Sequence, residues 1–177
     1  MNAKESYNLQ GKERMRFMER KCEIYAAYGS NMNLRQMALR CPSAEVLGIG
    51  VLENYKLTFR GKRRGVANIE KCEGATVPVV LWNITRKCEK ALDYFESFPK
   101  LYVKKQIKVK INTRIVEAMV YVMPDEYQNY PAKPGPYYLE MIEQGYTDHG
   151  IISSGLLDAV QNVQREVVMS KLIKEEL

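Results

Sequence analysis

Apolar positions along this chain fall into short alternating runs and short helical stripes, the signature of a mixed α and β domain. The run Ile24–Ala27 and Tyr28 reads as a strand, followed by Gly29-Ser30-Asn31 as a tight turn and by a helix over Leu34–Arg40 that Pro42 stops. Leu34, Met37 and Ala38 are that helix's expected apolar stripe. Ala44 to Phe59 reads as a hairpin broken near Glu53-Asn54, its second arm placing Tyr55, Leu57 and Phe59 on one face and Lys56, Thr58 and Arg60 on the other. After a loop around Gly61–Gly65, two further strands are expected, Val66–Ile69 and the mostly apolar Val77–Ile84.

Thr85 is the expected N-cap of a helix from Arg86 to Phe95, with Cys88, Ala91, Leu92 and Phe95 on its buried stripe and Pro99 enforcing its end. Two strands, Tyr102–Ile111 and Arg114–Met123, are joined by Asn112-Thr113 and so predicted to be antiparallel. Pro131 to Pro136 gives an irregular loop, followed by a short helix with Tyr138, Met141 and Ile142 on one face and Gly145 near its end. A last helix starts near Ser153 or Ser154 and carries Leu156, Val160, Val163 and Val167 at helical spacing. Residues 1–22 are polar and read as an extension ahead of one domain spanning 23–177. Strands first with helices gathered late make the expected class α+β.

The 177 residues suit one domain with a sizeable core. The apolar share of 46% beside 27% charged residues excludes the disordered and fibrous classes. No apolar stretch reaches the roughly 20 residues needed to span a bilayer, and the polar beginning lacks a secretory signal's apolar core, so a cytoplasmic location without membrane contact is expected. The net charge of +6 raises a nucleic-acid reading, with basic clusters at Lys62-Arg63-Arg64 and Lys104-Lys105. Over Val103–Ile111, however, lysines alternate with Val and Ile as on a half-buried strand, which needs no nucleic-acid partner.

Cys22, Cys41, Cys72 and Cys88 are widely spaced beside a single histidine, His149, which argues against zinc and favours reduced, small apolar side chains. His149 sits in a turn-like stretch and reads as a surface or capping residue. Phosphate-loop, dinucleotide and serine-triad patterns are absent. Two features remain. In the turn Tyr28-Gly29-Ser30-Asn31, a glycine with positive φ and successive N–H groups can cradle a carboxylate or oxyanion, with Ser30 or Asn31 available to cap the next helix, although the same residues are also ordinary turn chemistry. Glu96 ends the helix at the margin of its apolar stripe, where desolvation and the helix dipole both oppose ionisation. By spacing alone it reads more readily as a solvated helix-end glutamate or one paired with Lys100, and Glu89 lies nearly as well.

The segments Ile24–Met32 and Arg40-Cys41-Pro42-Ser43-Ala44, then Leu92-Asp93 with Glu96 three residues on, resemble the gamma-glutamylcyclotransferase family. Tyr121, the stretch Gly135–Ile142 and Gly145-Tyr146 look like that family's later substrate-site region, and the resemblance runs from about Ile24 to Ile151. One departure stands out: members commonly carry glycine after the catalytic glutamate, and here Ser97 follows Glu96.

The resemblance implies a small, mostly antiparallel β-barrel with flanking helices and a reaction that needs no cofactor. The substrate's α-amine attacks its own γ-carbonyl and releases 5-oxoproline. Glu96 would move the proton, Tyr28, Gly29, Ser30 and Asn31 would hold the anionic end, and Tyr121 and Tyr138 would shape the pocket. The implied partner is a small gamma-glutamyl compound, with no nucleic acid or membrane, and a homodimer is left open. A non-catalytic ligand-binding member of the fold and a basic nucleic-acid-binding module stand as the alternatives.

Overall fold

The computed structural model describes residues 22–175. The expected extension, apart from Cys22, lies outside them. Five strands close into a barrel in the order β1-β3-β2-β4-β5. They are β1 (Glu23–Ala27), β2 (Glu45–Arg60), β3 (Val66–Ile84), β4 (Val103–Ile111) and β5 (Arg114–Val122). Neighbours pair antiparallel except at the seam, where β1 meets β5 in parallel through Tyr25 and Met119. Four α-helices flank the barrel: α1 (Leu34–Arg40), α2 (Arg86–Phe95), α3 (Pro136–Asp148) and α4 (Ser154–Glu175). The class is α+β, as the alternation predicts.

The structure merges four expected strand pieces into two long ones. β2 runs unbroken for 16 residues and β3 for 19. What reads as a hairpin turn at Glu53-Asn54 is a bulge: Glu53 pairs with Thr76 and the next paired position, Tyr55, with Lys71, so Asn54 alone opposes residues 72–75. Asn54 takes φ 62 and Gly74 φ 76, and the Asn54 Oδ1 accepts the Gly74 N–H at 3.0 Å. The two residues that break the period thus compensate each other across the ladder, and the strands continue.

Helix signals fare better. Thr85 caps α2, its hydroxyl accepting the Cys88 N–H at 3.3 Å. For α1 the cap is Asn33, which accepts from the Gln36 N–H at 3.0 Å, and neither Ser30 nor Asn31 takes that part. Of the expected α1 stripe only Met37 is buried, while Leu34 and Ala38 are exposed, because the helix leans on the domain by its inner edge alone. Gly145 is buried inside α3, where a Cβ would come within 2.8 Å of the Asn33 N, so glycine there permits close approach of α3 to the turn after β1. His149 is the C-cap residue of α3, and its Nε2 meets the Met32 carbonyl oxygen at 2.8 Å.

One core fills the barrel, with Phe59, Leu52, Leu81, Met119 and Ile84 among its fully buried side chains. α4 lays Leu156, Ala159 and Val163 against β2. That contact buries the second face of β2: Arg60 is 3% exposed and pairs with both Glu70 of β3 and Glu166 of α4. All four cysteines are free; Cys41 and Cys88 are buried, Cys72 is half-buried, and Cys22 is exposed rather than packed. Among the described residues no helix is long and apolar enough to cross a membrane.

Candidate active site

Three chain segments converge at one end of the barrel. β1 delivers Tyr25 and, just past its end, Tyr28. The chain then folds into a one-turn 3-10 helix, Ser30–Met32, closed by the Met32 N–H on the Gly29 carbonyl at 2.9 Å. Gly29 has φ −120, which corrects the positive value expected of it. Its role is space: a Cβ would stand 3.1 Å from the Ala67 Cβ and 3.4 Å from the Tyr138 hydroxyl. The N–H groups of Gly29, Ser30 and Asn31 enter no turn or cap hydrogen bond among the described residues, as befits the open N-terminus of a helical turn.

α2 delivers Glu96 at its C-cap position. Beyond it Ser97 adopts φ 53, its N–H bonding the Tyr94 carbonyl at 3.2 Å, while the Phe98 N–H bonds the Asp93 carbonyl at 2.9 Å. This is a Schellman stop with serine in the left-handed position that glycine usually fills. The Phe98-Pro99 peptide is cis. The helix therefore ends in its own hydrogen-bonded turn, ahead of Pro99.

Glu96 makes no ion pair with Lys100 among the described residues. Its Oε1 accepts from the Asn31 Nδ2 at 2.7 Å, and the same nitrogen reaches the Tyr25 hydroxyl at 2.8 Å. The Asn31 Oδ1 faces the Arg40 guanidinium, which also donates to the Ser30 Oγ at 3.2 Å and the Gln36 Oε1 at 2.9 Å. Arginine can only donate, so it fixes the amide with its oxygen toward Arg40 and its NH₂ toward Glu96. Arg40 itself lies over the Phe95 ring, 3.3 Å from the centroid. Burial pushes the Glu96 carboxyl up to about 7, against the pull of Arg40 and the Asn31 hydrogen bond. Glu89, its rival by helical angle, is bound to Lys104.

A cavity of about 230 Å³ opens over these groups. All seven sequence-predicted residues line it: Glu96, Tyr28, Gly29, Ser30, Asn31, Tyr121 and Tyr138. The Tyr28 hydroxyl donates to the Tyr121 carbonyl at 2.6 Å, tying β1 to β5. The Tyr121 hydroxyl donates to the Asp93 Oδ1 at 2.6 Å, and Tyr138 accepts from the Ala67 N–H at 3.1 Å. Sequence reasoning missed Tyr25, Tyr102, Phe95 and Leu101 among the lining residues, and Arg40 behind them. Tyr25 and Arg40 both lie in the segments that carry the family resemblance, but neither was assigned a part in the site there.

Known proteins resemble this chain in sequence and in fold. Residues 25–140 match the family described as "Gamma-glutamyl cyclotransferase, AIG2-like". The chain is 31% identical to the gamma-glutamylcyclotransferase of Mus musculus over 140 residues and 30% identical to that of Homo sapiens over 138, each match covering 72% of both chains. A solved human structure superposes with a TM-score of 0.67 at 25% identity, covering 81% of this chain and 87% of that one. A barrel that places a half-buried glutamate over a donor-rich turn, within a sequence match of this extent, defines the lineage: the chain belongs to the gamma-glutamyl cyclotransferase, AIG2-like family.

Proposed function

We propose that the protein is a cyclotransferase that releases 5-oxoproline from a gamma-glutamyl amide, with Glu96 as the proton carrier. The observation that carries this reading is a half-buried carboxyl pushed up to about 7 at a cavity, beside backbone N–H groups that enter no turn or cap hydrogen bond among the described residues. A carboxylate of that basicity can take a proton from an α-ammonium and give it back at neutral pH.

The substrate's α-carboxylate would lie against the N–H groups of Gly29, Ser30 and Asn31, which places the α-ammonium by Glu96. Glu96 removes one proton, the freed amine attacks the γ-carbon, and a five-membered ring forms. The oxyanion is met by donors lining the cavity, Tyr25 among them, since its oxygen already accepts from Asn31 and its own proton has no acceptor among the described residues. Such donors are worth about 3 to 4 kcal/mol each in acyl transfer. The bond to the departing nitrogen then breaks as Glu96 returns its proton there. The ring nitrogen's second proton follows the same route, so the α-nitrogen loses two protons and the departing amine gains two. Nucleophile and electrophile share one molecule, so the cavity's main work is to hold the bent conformer and exclude water.

The test is a panel of gamma-glutamyl compounds assayed for 5-oxoproline, with the Glu96→Gln variant beside the native chain. Product from the native protein and at least a thousandfold loss in the variant, with its fold retained by circular dichroism, are expected; turnover that survives in Glu96→Gln would sink the assignment of Glu96.

A further inference from the structure

Arg40 closes α1, where a basic residue in the last turn ordinarily lies in solvent and answers the helix dipole. Here the side chain is half-buried and turned onto the Phe95 ring, 3.3 Å from its centroid. Its guanidinium meets three acceptors at once: the Ser30 Oγ at 3.2 Å, the Gln36 Oε1 at 2.9 Å and the Asn31 Oδ1. Fixing so long a side chain costs rotamer entropy, which one exposed partner would not offset.

What the guanidinium controls is the direction of one amide. Asn31 is 3% exposed, and its backbone carbonyl accepts the Trp82 Nε1–H at 3.1 Å, so the residue is out of water with its main chain tied. An amide presents donors on one side and an acceptor on the other. With Oδ1 toward Arg40, the Nδ2 group donates to the Glu96 Oε1 at 2.7 Å and to the Tyr25 hydroxyl at 2.8 Å. Turned over, the amide would set its oxygen against the carboxylate and its NH₂ against the guanidinium, and both contacts would repel. The tie occupies Oε1, whereas Oε2 of Glu96 has no hydrogen bond among the described residues, and Glu96 lines the cavity. Burial pushes this carboxyl up to about 7, and Arg40 and the Asn31 hydrogen bond draw it back. The other ionisable groups facing it are the phenols of Tyr25 and Tyr28 from β1 and the turn after it, Tyr102 and Tyr121 from the β4 and β5 side, and Tyr138 of α3, all held neutral by burial. Lys104 of β4 is bound to Glu89 and Asp93.

Resting on the cyclotransferase reading above, we infer that Arg40 is a positioning residue of the reaction: through the Asn31 amide it holds the Oε1 of Glu96 and leaves Oε2 to take up and return the proton.

The native chain, Arg40→Met, Arg40→Lys, Asn31→Ala and the Arg40→Met/Asn31→Ala pair are assayed for 5-oxoproline across pH. In Arg40→Met the rising limb of kcat/KM should move up by about half a unit or more, because the charge that favours ionised Glu96 is gone. On the plateau above that limb kcat should fall at least about tenfold, with KM changed less. Arg40→Lys keeps the charge without the planar fork, so its limb should stay at the native position while only part of kcat returns. Because Arg40 acts through Asn31, removing it from Asn31→Ala should cost less than about twofold further on the plateau. A limb that stays in place in Arg40→Met, or plateau losses that multiply in full, overturns the inference and leaves the cyclotransferase reading standing. Should Arg40→Met fail to fold, nuclear magnetic resonance of the native chain decides: the Arg40 Nη protons should be individually resolved and should shift with a midpoint near pH 7 as Glu96 titrates. Averaged or pH-insensitive Nη signals overturn the inference as well. No 5-oxoproline from the native chain with any gamma-glutamyl compound of the panel overturns both.

Discussion

A glutamate held near pH 7 is unusual enough to be felt in two measurements. As the proposed base Glu96 must be ionised, so kcat/KM should rise with pH along a limb centred near 7 and vanish in Glu96→Gln. The same shift governs stability. The folded carboxyl titrates about 7 and the unfolded one near its ordinary 4.5, so between those values the unfolded chain has already released a proton that the folded one retains. Stability attributable to Glu96 is therefore intact below about pH 4.5 and lost as pH rises through 7. Glu96→Gln should be more stable than the native chain at pH 8, by about 3 kcal/mol at most, and equal to it near pH 4 in urea melts. A variant inactive yet more stable separates a catalytic from a structural carboxylate. The position of Glu96 at a helix end was legible in the chain. Its environment was not, because Asn31 and Arg40 come from 65 and 56 residues upstream, and no local pattern records that meeting.

At the scale of elements, signals that act within one turn of chain were readable and signals that need a partner were not. The Thr85 cap and the Asn112-Thr113 turn announce themselves by residue type. The long β2–β3 ladder did not, since Asn54 and Gly74 each look like a break until they are seen facing each other. Gly29 misled in the same way: its backbone has an ordinary negative φ, and the reason for glycine there is Ala67 on another strand. The α2 stop makes its own prediction. Ser97 carries the penalty of the left-handed region with an exposed side chain that returns little. Ser97→Gly should raise stability by about 0.5 to 1 kcal/mol in urea melts.

Across the whole molecule, α4 is joined to the barrel by apolar packing and by one buried cation. Arg60 bridges Glu70 and Glu166, and Thr58 adds a hydroxyl to Glu70 at 3.0 Å. Arg60→Met leaves Glu70 buried without its guanidinium and should cost about 3 to 5 kcal/mol, most of it restored in the Arg60→Met/Glu70→Leu double variant, where the one charge left without its arginine is the solvent-facing Glu166. The alternation of β2 marked Arg60 as facing away from Phe59, and only the arrival of α4 turns that outer face into a second interior. The α+β class was legible from the order of strands and helices and the barrel followed only from the family resemblance, while its closure between β1 and β5 was not legible, because the sequence carries no local trace of a parallel seam.

That seam also decides when during folding the protein acquires its chemistry. Tyr28 and Tyr121, whose hydrogen bond spans it, are 93 residues apart, and bringing such distant segments together is entropically costly and slow. Tyr25 and the turn after β1 meet Tyr121 only when the ring of strands is complete. Unlike a site built on one hairpin, this one cannot exist in a partly assembled chain, so any ligand of the cavity binds the finished barrel alone and raises its melting temperature with concentration. Competence and closure are one event here: the cavity is complete only when β1 and β5 are joined.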